Sequence, residues 1–186
     1  MRADENISRP TEFMATPAVS TAPIHRIVVA VGDMSVSADP QITLSTYALG
    51  SCVAIVVYDS TARAGGLLHL MLPDSAIAPE RAKSQPARFA DTGMPLLFRA
   101  LAGLKTDAAH LQLFVAGGAS MLCTADTFKI GERNVRAVVD FLAAHGFPVR
   151  HTSVGGTINR TVHFNVGTGE ITLKTPTANE TMTLAA

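Results

Sequence analysis

Gly50-Ser51-Cys52-Val53-Ala54-Ile55-Val56-Val57-Tyr58, followed after a short loop by Gly65-Gly66-Leu67-Leu68-His69-Leu70-Met71-Leu72, decides how this chain is read. The first stretch is a tight turn running into a buried strand, and the second is another apolar run that carries one histidine. Two such runs joined by turn residues read as a β-hairpin. In an antiparallel pair, registers whose residue numbers sum to an odd value set Cys52 opposite residues such as His69 or Met71, so that Cys52 and His69 share a face. Direct neighbours on that face have Cβ atoms roughly 4.5–5.5 Å apart, and diagonal ones roughly 7–8 Å. A slip of one residue would send the two side chains to opposite faces.

The chain around this hairpin has 186 residues, 47% of them hydrophobic and 16% charged. With a mean hydropathy of +0.26, that suits one compact domain and argues against general disorder. Fifteen basic and 15 acidic residues cancel, so no global field favours nucleic acid or an anionic membrane surface. Two cysteines, no secretory-type apolar segment and no twin arginine point to a reducing compartment, the cytoplasm by default. The longest apolar run falls short of the ~20 residues that a membrane helix needs.

Residues 1–24 are rich in Ser, Thr, Pro and Ala without periodicity and read as a flexible N-terminal extension. Arg26 to Val31 and the alternating Ile42, Leu44 and Thr46 read as strands. Residues 74–90, with Pro79 and Pro86, read as irregular. Leu96, Leu97, Ala100, Leu101 and Leu104 then recur at helical spacing, with Asp91 or Thr92 as cap and Pro95 in the first turn. Leu111 to Val115 is a strand running into Gly117-Gly118. Val135, Val138, Val139 and Leu142 form the stripe of a second helix, which Gly146 and Pro148 stop. Val149 to Val154, Thr161 to Val166 and Glu170 to Lys174 read as a β-meander, and residues 176–186 as a loose tail. The expected fold is α+β: a layered sandwich of mostly antiparallel sheets, with two amphipathic helices on one face.

A thiol beside an imidazole is the minimum equipment for nucleophilic attack on an acyl carbon, because the imidazole takes the proton and leaves a thiolate. The turn Gly50-Ser51-Cys52 could aim backbone N–H groups at the resulting oxyanion. The same residues have a plainer reading. Free cysteine is among the most buried residue types, and a single histidine in a strand commonly serves as a structural hydrogen-bond partner. Cys123 is a rival nucleophile with no histidine near it in sequence. The remaining histidines, His25, His110, His145, His151 and His163, lack the spacing of zinc sites, and no Cys-x-x-Cys occurs. The Gly-Gly pairs at 65, 117 and 155 complete no phosphate-binding pattern. In Ile130-Gly131-Glu132-Arg133-Asn134, the glutamate suits a helix start on dipole grounds, a structural role.

Read in order, Leu49-Gly50-Ser51-Cys52-Val53, Gly65-Gly66, His69-x-Met71-Leu72-Pro73, Gly117-Gly118-Ala119-x-Met121, Ile130 to Asn134, and Gly155-Gly156 before Arg160 resemble the chemoreceptor glutamine deamidase family, CheD. The resemblance spans residues 25–175. It implies a layered α/β fold similar to that of the cytotoxic necrotizing factor toxins. It implies a protein-glutamine glutaminase: a cysteine hydrolase that converts glutamines of methyl-accepting chemotaxis receptors to glutamates, in some members with glutamyl methylesterase activity. The family's nucleophile falls on Cys52, its catalytic histidine on His69, and its histidine-orienting threonine on Thr46. No cofactor and no metal are implied. The implied partners are the cytoplasmic receptor helices and a CheC-type phosphatase. Asn159 departs from the family, which commonly has glycine there, and the N-terminal extension is long. A non-enzymatic adaptor that binds receptors or the phosphatase is the alternative from another class, and a generic cysteine peptidase or transglutaminase-like enzyme is a third.

Overall fold

The structure, a computed structural model, describes residues 25–120 and 128–185. The expected extension 1–24 and the rival Cys123 lie outside the described residues. Strands β1 (His25–Val28), β2 (Asp33–Ser37), β3 (Ile42–Leu49), β4 (Val53–Asp59) and β5 (Ala64–Leu70) come first. Helices α1 (Pro79–Ser84) and α2 (Ala90–Gly103), strand β6 (Leu111–Gly117) and helix α3 (Ile130–Ala144) follow. Strands β7 (Val149–Val154), β8 (Arg160–Asn165), β9 (Glu170–Lys174) and β10 (Asn179–Thr183) close the chain.

The strands form two five-stranded sheets, ordered β1-β3-β8-β9-β10 and β2-β5-β4-β6-β7. Every ladder is antiparallel except β1 on β3 and β6 on β7. One core lies between the sheets, with Leu44, Val56, Leu67, Phe114 and Phe164 among its members. A second lies between the other face of the β2-to-β7 sheet and the helices, where Ile55 and Leu68 meet Met94, Leu97, Val138 and Leu142. The order of layers is therefore sheet, sheet, helices. Strands β4 and β5 are buried along their whole length, because each has a core on both faces. Residues 53–58 accordingly read as an unbroken apolar run rather than an alternating one.

Four expectations need correction. Residues 149–174 are not one meander. Strand β7 returns through α3 to lie parallel to β6 in the second sheet, whereas β8 and β9 pair in the first. The Gly155-Gly156 turn carries the chain across the sandwich, and its composition is that of a hairpin turn. The expected tail at 176–186 contains β10, antiparallel to β9, with Leu184 fully buried in the inter-sheet core. Its Thr-rich, almost wholly exposed residues hid an edge strand. The 74–90 segment holds α1, which begins on Pro79 because a first-turn proline forfeits no helical bond. Helix α2 starts at Ala90, with Phe89 at its cap. Asp91 instead accepts from Ser75, Thr92 donates to the Pro86 carbonyl, and Pro95 lies inside the helix.

Candidate active site

The hairpin register is the one in which Val53 faces Leu70 and Ala54 faces His69. The numbers sum to an odd value, and the ladder ends there, leaving Cys52 and Met71 at the next position. Ala54 belongs to the inter-sheet core and Cys52 packs against it, so Cys52 and His69 share the face turned toward the first sheet. Cys52 is half-buried, whereas His69 is 1% exposed.

Opposite them, β3 supplies Thr46. Its Oγ1 lies 2.7 Å from His69 Nδ1 and donates to the Val29 carbonyl at 2.8 Å. A hydroxyl has one proton. With that proton on Val29, Thr46 can only accept from the ring, so Nδ1 carries the hydrogen and Nε2 keeps a free lone pair. Nε2 is buried and has no hydrogen-bond partner among the described residues. Just beyond Thr46 the β3–β8 register shifts before Leu49, and Ala48 adopts φ 55°. This bulge ends the regular ladder where the chain turns into Gly50-Ser51-Cys52.

Burial sets the charge state of both groups. It lowers His69 from 6.5 to about 4. It pushes the Cys52 thiol up, against the opposing pull of the Arg88 guanidinium and of the Cys52 backbone N–H. The resting thiol and imidazole, on one face of the hairpin, are therefore both neutral. Arg88 is held in place by its Nη1 on Met71 Sδ at 2.8 Å and by its Nε on Gln85 at 3.1 Å.

The loop that bears Cys52 is pinned from the second sheet. Gly118 N donates to Cys52 O and Ala119 N to Gly50 O, each at 2.8 Å. This needs the left-handed backbone of Gly117 (φ 113°) and Gly118 (φ 67°). Helix α3 then packs on that loop at Gly131, where a Cβ would stand 2.5 Å from the Gly118 carbonyl oxygen. One turn on, the fully buried Asn134 donates from Nδ2 to Ser51 O and to Met71 O, both at 2.9 Å. Its Oδ1 is buried without a partner among the described residues. Arg160, across from Leu49 on β8, donates to Ser153 Oγ and Ile158 O and so steadies the turn after Gly155-Gly156.

Of the residues picked from sequence, Thr46 and His69 meet directly, and Cys52 lies on the same face. Asn134 and Arg88 were missed. Asn134 had a signal, since it stands with Gly131, Val138 and Leu142 on the buried stripe of α3, and a polar residue in an apolar stripe calls for a partner. Arg88 had none, because its approach to Met71 depends on how residues 74–90 fold back. Among the described residues no group of His, Cys, Asp or Glu is arranged to hold a metal ion, and no helix is long and apolar enough to cross a membrane.

Comparison with known proteins places the chain in a family. A family model described as CheD chemotactic sensory transduction matches residues 71–175. A protein of Solibacter usitatus named "Probable chemoreceptor glutamine deamidase CheD" is 42% identical over 151 residues, 81% of this chain and 89% of the relative. The chain belongs to the CheD family. Another CheD protein, "Probable chemoreceptor glutamine deamidase CheD 1" of Syntrophus aciditrophicus, is 39% identical over 80% of this chain and 92% of its own. "Chemoreceptor glutamine deamidase CheD" of Halalkalibacterium halodurans is 36% identical over 80% of this chain and 93% of its own. Among solved structures, the Neisseria meningitidis protein NMB0706 superposes with a TM-score of 0.43 at 10% identity, over 70% of this chain and 64% of that one.

Proposed function

We propose that this CheD chain deamidates specific glutamines on chemoreceptors, with Cys52 as nucleophile, His69 as general base and acid, and Thr46 as the group that orients His69. The observation that carries the reading is the Thr46–His69 hydrogen bond. It puts the proton on Nδ1 and leaves Nε2 as an unpartnered base on the face shared with the thiol. The relatives' names supply the substrate class.

In this mechanism Nε2 takes the Sγ proton as the sulfur attacks the δ-carboxamide carbon of a receptor glutamine. Because the resting pair is neutral, that proton moves during the attack, not before it. Backbone N–H groups near Ser51 and Cys52 hold the oxyanion. The tetrahedral intermediate collapses, the C–N bond breaks, and the nitrogen leaves as ammonia with the proton from His69. Water, activated by Nε2, then hydrolyses the thioester to glutamate and regenerates the thiol. A glutamyl methyl ester would follow the same course with methanol as the leaving group, so the proposal includes methylesterase activity. The change from amide to carboxylate adds one negative charge to a receptor helix. The proposed partners are the cytoplasmic receptor helices and a CheC-type phosphatase, and the proposed compartment is the cytoplasm.

The test is peptide mass spectrometry of a receptor cytoplasmic fragment incubated with the protein, with Cys52→Ala alongside. Conversion of amide to acid at particular glutamines, absent with the variant, is expected. Binding to the fragment without conversion would replace the enzyme with an adaptor.

A further inference from the structure

We infer that Asn134 is a positioning residue for the reaction, one that aims and polarises the Cys52 backbone N–H as the oxyanion donor. The inference rests on the reading of Cys52 and His69 given above, and its starting point is where the β4–β5 ladder stops. The last pair is Val53 with Leu70. At the next position, where Cys52 and Met71 would pair, the carboxamide of Asn134 from α3 is inserted instead. Each of its two N–H bonds is on a carbonyl, that of Ser51 on one side and that of Met71 on the other.

The Ser51 carbonyl belongs to the same peptide unit as the Cys52 N–H. That unit is planar and trans, so fixing the direction of the C=O fixes the opposite direction of the N–H. A hydrogen bond accepted by the oxygen also strengthens the donor at the other end of the unit. The Cys52 N–H makes no backbone hydrogen bond of its own among the described residues; its one neighbour of note is the Cys52 sulfur, whose ionisation it favours. The donor thus lies beside the reacting sulfur and is committed to no backbone acceptor among the described residues. The second arm of Asn134 holds Met71, two residues beyond His69 on the same strand. One side chain therefore ties the nucleophile's peptide to the strand of the base.

The amide cannot be turned over. Two carbonyl acceptors require the NH2 group, since the reverse orientation would crowd three oxygens together. The consequence is a buried Oδ1 with no partner among the described residues, which weakens the fold. An apolar residue at this position of the α3 stripe would avoid that loss, and would leave the Ser51 carbonyl unheld.

The experiment compares Asn134→Asp, of equal size but without the two donors, and Asn134→Ala with the wild type, Cys52→Ala and His69→Ala. Two rates are measured on protein shown to be folded by circular dichroism: ammonia release from a receptor fragment, and alkylation of Cys52 by iodoacetamide. Deamidation develops an oxyanion and alkylation does not. Outright loss of one such donor slows acyl transfer about 10²–10³-fold; the Asn134 variants keep the Cys52 N–H and lose only its aim, so kcat should fall by at least about tenfold and by no more than that factor. KM and the alkylation rate should stay within about threefold. Parallel loss of alkylation and kcat, an unchanged kcat, or failure of both variants to fold would overturn the inference and leave Asn134 a packing residue. Wild-type deamidation indifferent to Cys52→Ala or His69→Ala would instead sink the site reading, and the role of Asn134 with it; that failure appears in the controls and not in the Asn134 variants.

Discussion

Replacing Thr46 with valine keeps the side-chain shape and deletes the hydroxyl. Two buried hydrogen bonds disappear: the one donated to the Val29 carbonyl at 2.8 Å and the one accepted from His69 Nδ1 at 2.7 Å. Thr46 is 0% exposed, His69 1% and Val29 2%, so water does not replace the missing partner. Each of the two orphaned groups costs about 1–3 kcal/mol, for an expected loss of stability of about 2–6 kcal/mol. The kinetic effect is separate. As His69 takes the thiol proton it becomes a cation, and a hydrogen bond to a charged group is worth about 1.5–3 kcal/mol. At 1.36 kcal/mol per factor of ten, alkylation of Cys52 at neutral pH should slow by roughly 10–100-fold. The assay is urea denaturation for stability, with the iodoacetamide rate measured on folded protein well below the transition. Thr46→Ser, which keeps the hydroxyl, should retain the rate within a few-fold. A Thr46→Val protein that loses less than about 0.5 kcal/mol, or that alkylates at the wild-type rate with His69 still required, would refute the tautomer reasoning.

Two further predictions concern charge and the chain end. In the folded state His69 accepts a proton only near about 4, against 6.5 ordinarily, because it is buried. Between those values the unfolded chain binds more protons, so stability falls as pH drops from about 6.5 to about 4. From this group alone the loss reaches about 3 kcal/mol at 1.36 kcal/mol per pH unit. Urea midpoints over that range should drop more steeply for wild type than for His69→Gln, and parallel curves would contradict the assignment. Leu184, buried in the inter-sheet core beyond β10, should cost about 2–5 kcal/mol when changed to alanine. A chemical denaturation curve unaffected by Leu184→Ala would return residues 176–186 to the status of a tail.

The hairpin itself was legible in the chain because both of its faces are buried over 53–58 and 64–70, which keeps those stretches almost free of polar side chains, and an internal histidine in such a run stands out. The α3 stripe, except for Val139, which is exposed, and the Gly146–Pro148 stop were legible for the same local reason, since a period of 3.6 and a helix breaker are properties of neighbours in sequence. The family motifs were recognisable as separate short strings. Their physical purpose was not, because Gly117-Gly118, Ala119 and Asn134 act on Gly50, Ser51 and Cys52 across gaps of more than 60 residues.

What the sequence determined by itself was therefore the set of local elements and the shared face of Cys52 and His69, given an odd-sum register. Tertiary structure alone decided that register, the assignment of β7 and β8 to different sheets, and the protonation of His69. A tautomer depends on where the single proton of Thr46 goes, and that depends on the Val29 carbonyl, brought to β3 by chain folding. Neither the proton nor its acceptor can be read from residues 46 and 69 taken along the chain, because a hydrogen bond has a direction only once all of its partners are in place.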